Sequence, residues 1–121
     1  NEIEGYELTK EKDYEAILNK LHQLYPNTAV VLTLGKNGAL FSDGVNVYKH
    51  GIYDVKVVDT TAAGDTFTGY FLAAYAKNEP IENCLQMASI ASSIAVSRHG
   101  ATTSIPFLSE VINSKLVLVN E

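Results

Sequence analysis

The sequence predicts an α/β fold, and three observations lead to that prediction. An apolar, β-branched run at Ala29–Leu34 is typical of a buried strand. Segments in which apolar residues recur at helical spacing lie before and after that run. The chain has 121 residues, of which 46% are hydrophobic and 19% are charged, so it can bury one ordinary globular core. We therefore expect a single domain that mixes helices and strands.

Charge and cysteine content exclude several classes of function. Lys and Arg number 9 against 14 Asp and Glu, so the formal net charge is −5 and the sequence lacks the basic patch that nucleic acids need. No apolar run approaches the roughly 20 residues that cross a bilayer. Cys84 is the single cysteine, and no Cys/His cluster has zinc spacing, which favours a reducing compartment. We predict a cytoplasmic protein with no nucleic-acid or membrane partner.

The first half of the sequence predicts a helix followed by short strands. Apolar residues from Tyr14 to Leu24 form one stripe, which indicates a helix over Thr9–Tyr25 with Thr9 as its N-cap. The run at Ala29–Leu34 then predicts a central strand that is buried on both faces. Glycine-containing turns predict two further short strands, Ala39–Ser42 and Val45–His50.

The second half is predicted to be mostly helical. The stretch Tyr53–Val58 alternates like a strand, and helical periodicity begins after it, at Gly64 or Asp65. That helix is predicted to run to Lys77 and to bury one face, made of Phe67, Phe71, Leu72 and Tyr75. The remaining predicted elements are a helix over Ile81–Ser97, a loop over Arg98–Pro106 and a short helix over Leu108–Asn113. The pattern at Leu116–Val119 fits either a helix or a strand.

The junction between the predicted strand and helix, Asp59–Asp65, has a direct chemical use. A helix N-terminus offers unpaired N–H groups and a partial positive charge, which together bind phosphate. The small residues Ala62–Gly64 would let an anionic group approach their amides, and Asp65 beside it could accept a proton from a hydroxyl. From spacing alone a simpler interpretation is favoured, in which Asp59 or Asp65 only caps the helix or forms a turn.

General nucleotide-binding motifs give little help. The sequence contains neither G-x-x-x-x-G-K-[ST] nor G-x-G-x-x-G. The segment Thr33–Gly38 lies at the carboxyl end of a predicted strand, where open α/β sheets bind ligands. By itself, a G-x-x-G segment between strands is more often a plain turn.

Three segments of the chain form a specific combination. Asp59–Gly69 has the sequence D-T-T-A-A-G-D-T-F-T-G, Asn1–Glu4 is N-E-I-E, and Thr33–Gly38 is T-L-G-K-N-G. The combination resembles the ribokinase-like (PfkB) carbohydrate kinases, whose second signature has the core D-T-x-G/A-A-G-D-x-F. The other two segments resemble the N-x-x-E motif and the T-L-G-x-x-G nucleotide loop of that family, in the family's order. Residues from Ala91 to Pro106 also resemble its C-terminal helix and loop.

The resemblance implies a more detailed fold class. The chain would be the C-terminal half of a ribokinase-like three-layer α/β/α sandwich, and residues 1–121 would form its nucleotide-binding and catalytic part. The N-terminal half, with the lid and most sugar contacts, would be missing. The chain starts with Asn1 instead of Met, and we expect it to be a piece of a longer protein. We therefore expect negligible kinase activity of the chain alone, and the full-length protein could pair as a homodimer through the lid.

The same resemblance implies roles for individual residues. Asp65 would contact the sugar and act as the catalytic base, and the amides of Ala62, Ala63 and Gly64 would form an anion hole for the transferring phosphoryl group. Glu4 would act on Mg²⁺ through water. The nucleotide-binding positions would be Asn1, Thr33, Leu34, Gly35, Lys36, Asn37, Gly38, Gly64, Asp65 and Ser89.

A monovalent cation site is also implied. Many members of the family are activated by K⁺, which backbone carbonyls and side-chain oxygens hold. The matching positions would be Asp59, Thr61, Ala95, Arg98, Gly100 and Ser104. Arg98 could offer only its carbonyl, because a guanidinium has no acceptor. The oxygen-bearing side chains of Asp59 and Ser104 favour a K⁺-responsive protein.

The function implied is transfer of phosphate from ATP to a sugar hydroxyl. Identities from Asp59 to Pro106 favour a simple sugar kinase such as ribokinase or fructokinase, and nucleoside, ketodeoxygluconate and phosphosugar kinases are alternatives. A further alternative is a non-catalytic nucleotide-binding or regulatory module of the same fold. Retention of Asp65, the anion-hole residues and Glu4 argues against it, because a module without catalysis could lose the base.

Other conspicuous residues are predicted to be structural. Cys84 fits a small buried residue, and no metal-ligand spacing relates the histidines, His22, His50 and His99. Gly69 lies inside a predicted helix, where glycine costs about 1 kcal/mol relative to alanine. We expect Gly69 to permit a close approach to bound phosphates or to a facing strand.

Overall fold

A computed structural model describes residues 1–119 of the chain. The chain divides into two compact units, Asn1–Lys49 and His50–Glu121. The first unit combines helices with a small sheet, and the second is mainly helical. Within residues 1–119, none of the helices combines the length and the apolar character that crossing a bilayer requires.

The first unit contains two helices and three strands. Its elements in chain order are α1 (Glu2–Thr9), α2 (Tyr14–Leu24), β1 (Val30–Thr33), β2 (Ala39–Ser42) and β3 (Val47–His50). β2 lies between β1 and β3 in the sheet. β1 and β2 are antiparallel, with Val30 opposite Ser42 and Thr33 opposite Ala39.

The core of the first unit is the apolar stripe of α2 packed against β1. Its buried residues are Ile17, Leu18, Leu21, Leu32 and Leu34. Ile17 is 1% exposed, whereas Leu24 at the end of the stripe is 49% exposed. A Cβ on Gly5 of α1 would lie 3.0 Å from Cγ2 of Ile17. Glycine at this position therefore lets α1 approach the core closely.

The predicted start of the first helix is wrong. Thr9 ends α1 instead of capping the next helix, and its hydroxyl donates to the carbonyl of Gly5 at 2.6 Å. α1 stops because Lys10 takes a left-handed backbone conformation, with φ at 62°. Asp13 then caps α2, since its carboxylate accepts from the amide of Ala16 at 3.0 Å. A turn therefore replaces the first residues of the predicted helix.

β1 is shorter and less buried than its apolar sequence predicts. It lies at an edge of the described three-stranded sheet, and only Leu32 of its four residues is buried. The prediction of a central strand buried on both faces is wrong for residues 1–119, because β2 pairs with one edge of β1 and no described strand pairs with the other. The predicted strand at Ala39–Ser42 is confirmed, and the next one starts at Val47 instead of Val45.

The second unit is built on two long helices, α3 (Ala63–Ala76) and α4 (Ile81–Val96), which are followed by the short α5 (Leu108–Ile112). These helices match the predicted ones to within one residue at most ends. On α3, Phe67 and Phe71 are buried, and their rings stack with centroids 6.4 Å apart. The two other predicted core residues of α3 are exposed, Leu72 and Tyr75. Small buried residues let α4 pack closely, and they include Cys84, Ala88, Ser89, Ala91, Ser93 and Ala95.

The segment Tyr53–Val58 is not a strand in the described residues, although its alternating pattern predicts one. An isolated antiparallel bridge joins Tyr53 to Leu118. The amides of Val58 and Asp59 donate to the carbonyl of Val96 at 2.7 and 3.1 Å. Because these amides bond to the end of α4, they cannot enter a strand ladder. The undecided segment Leu116–Val119 is neither helix nor regular strand and supplies the other side of the bridge.

We predict that Ile17→Ala lowers the free energy of unfolding by about 2–5 kcal/mol, because it removes a fully buried side chain from the first unit. Urea unfolding followed by circular dichroism measures the change. Leu24→Ala on the same helix is the control and should cost about 1 kcal/mol or less, since half of that side chain is already in water. Equal losses for the two variants would contradict this core.

Candidate active site

The carboxylate of Asp59 joins the loop that precedes α3 to the loop that follows α4. Its Oδ1 accepts hydrogen bonds from the amide of Thr61, at 2.9 Å, and from the hydroxyl of the same residue. Its Oδ2 accepts from the amide of Gly100 at 3.1 Å. Gly100 has φ at +97°, a conformation that favours glycine. Asp59 therefore forms a turn with Thr61, and the same carboxylate also holds the loop after α4.

Hydrogen bonds keep Asp59 charged. The hydroxyl of Thr61, the amide of Thr61 and the amide of Gly100 lower the pKa of Asp59 from 3.8 to about 2. The carboxylate is therefore an anion throughout the neutral range.

The first turn of α3 presents backbone amides with no partner. Ala62 is the N-cap, and no side chain caps the helix. The amide of Ala63 donates to the carbonyl of Thr60 at 3.2 Å, whereas the amides of Gly64 and Asp65 donate to no acceptor within residues 1–119. A Cβ on Gly64 would meet no atom within 4 Å. A phosphate could therefore approach these amides from solvent.

Of the three amides that the sequence assigns to an anion hole, two lack an acceptor in the described chain, those of Ala62 and Gly64. The amide of Ala63 is engaged in the turn at the long distance of 3.2 Å. The carbonyl of Ala63 accepts from the hydroxyl of Ser92 on α4 at 3.2 Å, which fixes the start of α3. The amide of Asp65 is a further donor that the sequence did not assign.

Asp65 lies on this first turn with its side chain exposed. Its carboxylate accepts no hydrogen bond in the described part of the chain, and Ala62 takes the capping position. The interpretation of Asp65 as a mere helix cap is therefore wrong. The residue borders a shallow cleft of about 270 Å³, which is lined by Asp65, Thr66, Gly69, Tyr70, Ala73 and Ile105.

Gly69 opens onto this cleft. A Cβ at Gly69 would meet no atom of the described chain within 4 Å. The expectation that Gly69 permits close packing against a facing strand is therefore wrong for residues 1–119. What the glycine does is keep the cleft beside Asp65 free of side-chain atoms.

The residues predicted to hold K⁺ lie in the two loops and at the end of α4. Hydrogen bonds link Asp59 directly to Thr61 and Gly100, as described above. The carbonyl of Ala95 accepts from the amide of Arg98 at 3.2 Å. The hydroxyl of Ser104, which is buried, donates to the carbonyl of Ala101 at 2.6 Å. No group of three or more His, Cys, Asp or Glu side chains in residues 1–119 is arranged to hold a metal.

In the first unit, Asn1 and Glu4 cap the same helix. Oδ1 of Asn1 accepts from the amides of Ile3 and Glu4 at 3.0 and 2.9 Å. Oε2 of Glu4 accepts in return from the backbone nitrogen of Asn1 at 2.8 Å. This is a reciprocal capping box, and it brings the two predicted site residues together at the start of α1.

The predicted nucleotide loop Thr33–Gly38 is a tight turn at the end of β1. Gly35 and Gly38 have φ at +55° and +87°, which explains why both positions are glycine. The amide of Leu34 donates to the carbonyl of Gly38 at 2.8 Å and closes the turn. Gly35, Lys36 and Asn37 are exposed at its tip, and Asn37 donates to the hydroxyl of Tyr14 at 3.3 Å.

Ser89 offers little surface for the adenine contact that the resemblance implies. It lies on the buried side of α4 and is 8% exposed. Its carbonyl accepts from the hydroxyl of Ser93 at 2.8 Å. The small residues around it serve the packing of α4.

Sequence reasoning missed Glu110, which anchors the loop after α4. Its carboxylate forms an ion pair with the guanidinium of Arg98 and accepts from the amide of Phe107 at 2.7 Å. The hydrogen bond with Arg98 lowers the pKa of Glu110 and raises the pKa of Arg98. Glu110 lies three residues after Phe107, the residue that precedes the predicted helix, and a Glu at this spacing is a capping signal, so half of this role was visible in the sequence.

Comparison with known proteins identifies the family. The family model described as "pfkB family carbohydrate kinase" matches residues 1–108. The chain belongs to the pfkB family of carbohydrate kinases.

Individual relatives of this pfkB-family chain support the same family assignment. It is 40% identical to a ribokinase of Lactococcus lactis over 111 residues, which cover 92% of the chain and 35% of the relative. It matches the structure of Arabidopsis thaliana ribokinase complexed with ribose and ATP with a TM-score of 0.85 and 32% identity, over 93% of the chain and 38% of that protein. It also matches a fructokinase double mutant of Vibrio cholerae with bound fructose, ADP and potassium, with a TM-score of 0.81 and 26% identity, over 92% and 37% of the two chains.

These matches confirm the resemblance and the fold class that the sequence motifs predict. The pfkB chain is an α/β part of the ribokinase fold. It spans about a third of the length of the relatives it matches.

We predict that Asp59→Asn weakens the pH dependence of stability at acid pH. The folded pKa of Asp59 lies below its ordinary 3.8, so the stabilisation it provides is present above about pH 4 and is lost as the pH falls through about 2. The wild-type chain should therefore lose thermal stability more steeply between these values than the variant. Asp54→Asn is the control, because that carboxylate accepts no hydrogen bond in the described residues, and it should keep the wild-type slope. Parallel slopes for the wild type and Asp59→Asn would contradict the stabilising role of the hydrogen bonds that Asp59 accepts.

Proposed function

We propose that the protein carrying this chain transfers the γ-phosphoryl group of ATP to a hydroxyl of a sugar, and that Asp65 is the general base. The observation that carries the proposal is the unpartnered carboxylate of Asp65 on the first turn of α3. Amides of the same turn, at Gly64 and Asp65, also donate to no acceptor in residues 1–119. A base and anion-binding donors in one helical turn suit phosphoryl transfer.

In the proposed step, the proton of the acceptor hydroxyl passes to the carboxylate of Asp65 while the acceptor oxygen forms a bond to the γ-phosphorus. The bond from that phosphorus to the bridging oxygen breaks, and ADP leaves with the electron pair. The amides at the start of α3 and the partial positive charge of the helix stabilise the negative charge on the transferring group. General-base help of this kind typically contributes about 10²–10⁴ in rate.

Nucleotide contacts are proposed mainly in the first unit. The exposed tip of the Thr33–Gly38 turn offers backbone groups to a nucleotide, and Asn1 is proposed to lie near the phosphates. Ser89 is proposed to contact the adenine of the nucleotide through the small part of its surface that is exposed. The structure of Arabidopsis ribokinase complexed with ribose and ATP supports ATP as the nucleotide.

Glu4 is the residue proposed to act on Mg²⁺ through water. Its carboxylate is well exposed, and only Oε2 accepts a hydrogen bond among the described residues, so Oε1 is available to a hydrated ion. This donor suits Mg²⁺, which keeps several waters when it binds to carboxylates. When bound, the ion neutralises charge on the phosphates during transfer.

The K⁺ site is proposed in the second unit, at Asp59, Thr61, Ala95, Arg98, Gly100 and Ser104. Oxygen donors of this kind suit a hard monovalent cation, and the negative charge of Asp59 persists at neutral pH. The cationic side chain of Arg98 is paired with Glu110, which leaves its carbonyl as the group to contribute. Potassium bound to the related fructokinase supports this proposal.

The substrate class proposed is a simple sugar, on the evidence of the ribokinase and fructokinase relatives. Location in the cytoplasm, the lack of nucleic-acid and membrane partners, and a homodimer of the full-length protein stay predictions from the sequence. The regulatory-module alternative is disfavoured by the carboxylate of Asp65, which accepts no hydrogen bond in residues 1–119 and is therefore available as a base.

We predict that Asp65→Asn in the full-length protein lowers kcat by about 10²–10⁴, because it removes the base, and leaves the Kd for ATP unchanged. Sugar-dependent ADP formation and ATP titration measure the two effects. Glu82→Gln is the matched control, since Glu82 is also an exposed acid in the first turn of a helix and should be silent. A variant with full turnover would rule out the base, and a wild type without turnover would favour the regulatory module.

We predict that the 121-residue chain binds Mg-ATP saturably and more tightly in K⁺ than in tetramethylammonium, with negligible sugar-dependent ADP formation. The reason is that the proposed nucleotide and K⁺ residues lie in this chain, whereas most sugar contacts do not. Calorimetric titration measures binding, and circular dichroism establishes that the chain is folded. A folded chain that binds no ATP, or that turns over sugar, would contradict this division.

A further inference from the structure

Tyr70 connects the helix that carries Asp65 to residues 105–107, which lie just before α5. It lies on α3, and its hydroxyl donates to the carbonyl of Pro106 at 2.7 Å. Burial and the nearby carboxylate of Glu110 raise the pKa of Tyr70, so the hydroxyl keeps its proton at neutral pH. The bond spans 36 residues of sequence and is therefore a tertiary contact.

Little apolar packing holds the segment that this bond reaches. Pro106 is buried, but its neighbours Ile105 and Phe107 are exposed, and Phe107 is 79% exposed. Polar contacts hold the segment instead: Tyr70 binds the carbonyl of Pro106, and Glu110 accepts from the amide of Phe107. Removing either contact should let the segment move.

The segment also forms part of the cleft beside the proposed base. Ile105 and Tyr70 line the same cleft as Asp65, together with the small residues Gly69 and Ala73. The hydroxyl of Tyr70 already donates its proton in a hydrogen bond to the carbonyl of Pro106. The cleft thus presents apolar surface, with the carboxylate of Asp65 as its charged group. A hydroxyl of a molecule in this cleft has Asp65 as its strongest acceptor.

We propose that Tyr70 is a positioning residue for the acceptor: by holding Pro106, it keeps Ile105 in place as a wall of the cleft next to Asp65. The proposal rests on the proposed sugar kinase function and adds to it a residue that decides how the acceptor is held. Tyr70 acts through Ile105 and does not itself take part in proton transfer.

The test is Tyr70→Phe in the full-length protein, which removes the hydroxyl and keeps the ring. We expect the KM for the sugar to rise about three- to tenfold, which is the effect of losing one neutral hydrogen bond. The KM for ATP should be unchanged. We also expect faster hydrogen exchange of the Phe107 amide, a readout that needs no activity. Tyr25→Phe is the control, because Tyr25 is 54% exposed and its hydroxyl has no partner in the described residues; it should change neither quantity.

A second variant separates positioning from a general loss of structure. If Tyr70 acts through Ile105, then Tyr70→Phe should have little further effect on the sugar KM in an Ile105→Ala background. Additive effects of the two substitutions on the sugar KM would overturn the proposal. An unchanged sugar KM together with faster exchange at Phe107 would also overturn it, because Tyr70 would then only stabilise the local structure. Unchanged exchange at Phe107 would overturn the contact itself. A wild-type protein with no sugar-dependent ADP formation would instead overturn the proposed function, and the positioning role with it.

Discussion

The hydrogen bonds accepted by Asp59 are the interaction on which the loops at the candidate site of the second unit depend. One carboxylate binds donors from the loop before α3 and from the loop after α4, so the first turn of α3 and the turn at Gly100 have a common anchor. Charge-assisted hydrogen bonds are stronger than neutral ones, and here they join two segments that lie 41 residues apart in the sequence. The unpartnered amides, the exposed Asp65 and the proposed K⁺ ligands all lie on segments that this anchor positions.

Polar groups of the second unit fall into two sets: those that form hydrogen bonds or ion pairs within the structure, and those that are available to a ligand. Asp59, Arg98 and Glu110 are hydrogen-bonded or paired and hold loops in place. Asp65 and the amide of Gly64 have no partner within residues 1–119. Because buried or structural polar groups are nearly always satisfied, groups left without partners at an exposed helix end are those available to a ligand. The available groups are those that a phosphoryl transfer needs.

Sequence reasoning predicted the helices of the second unit well, because caps, prolines and helical periodicity are local signals. It failed where a backbone conformation or a distant contact decided the outcome. Thr9 has the side chain of an N-cap, yet the left-handed Lys10 makes it the end of α1. Tyr53–Val58 alternates like a strand, yet amides at its end bond to Val96 of α4. Tyr70 gave no signal at all, since its partner is 36 residues away.

The sequence by itself determined the family, the fold class and the identity of the small residues around Asp65, because these follow from motifs of neighbouring residues whose chemistry is local. Only the tertiary structure decided which groups are free to react. Asp59 and Asp65 are the same residue type at the two ends of one loop, and spacing favoured the same modest role for both. Folding gives Asp59 three hydrogen-bond donors, two from Thr61 and one from Gly100, and gives Asp65 none. The reason is that the turn at Thr61 and the loop after α4 meet at one end of this junction and leave the other end open to solvent.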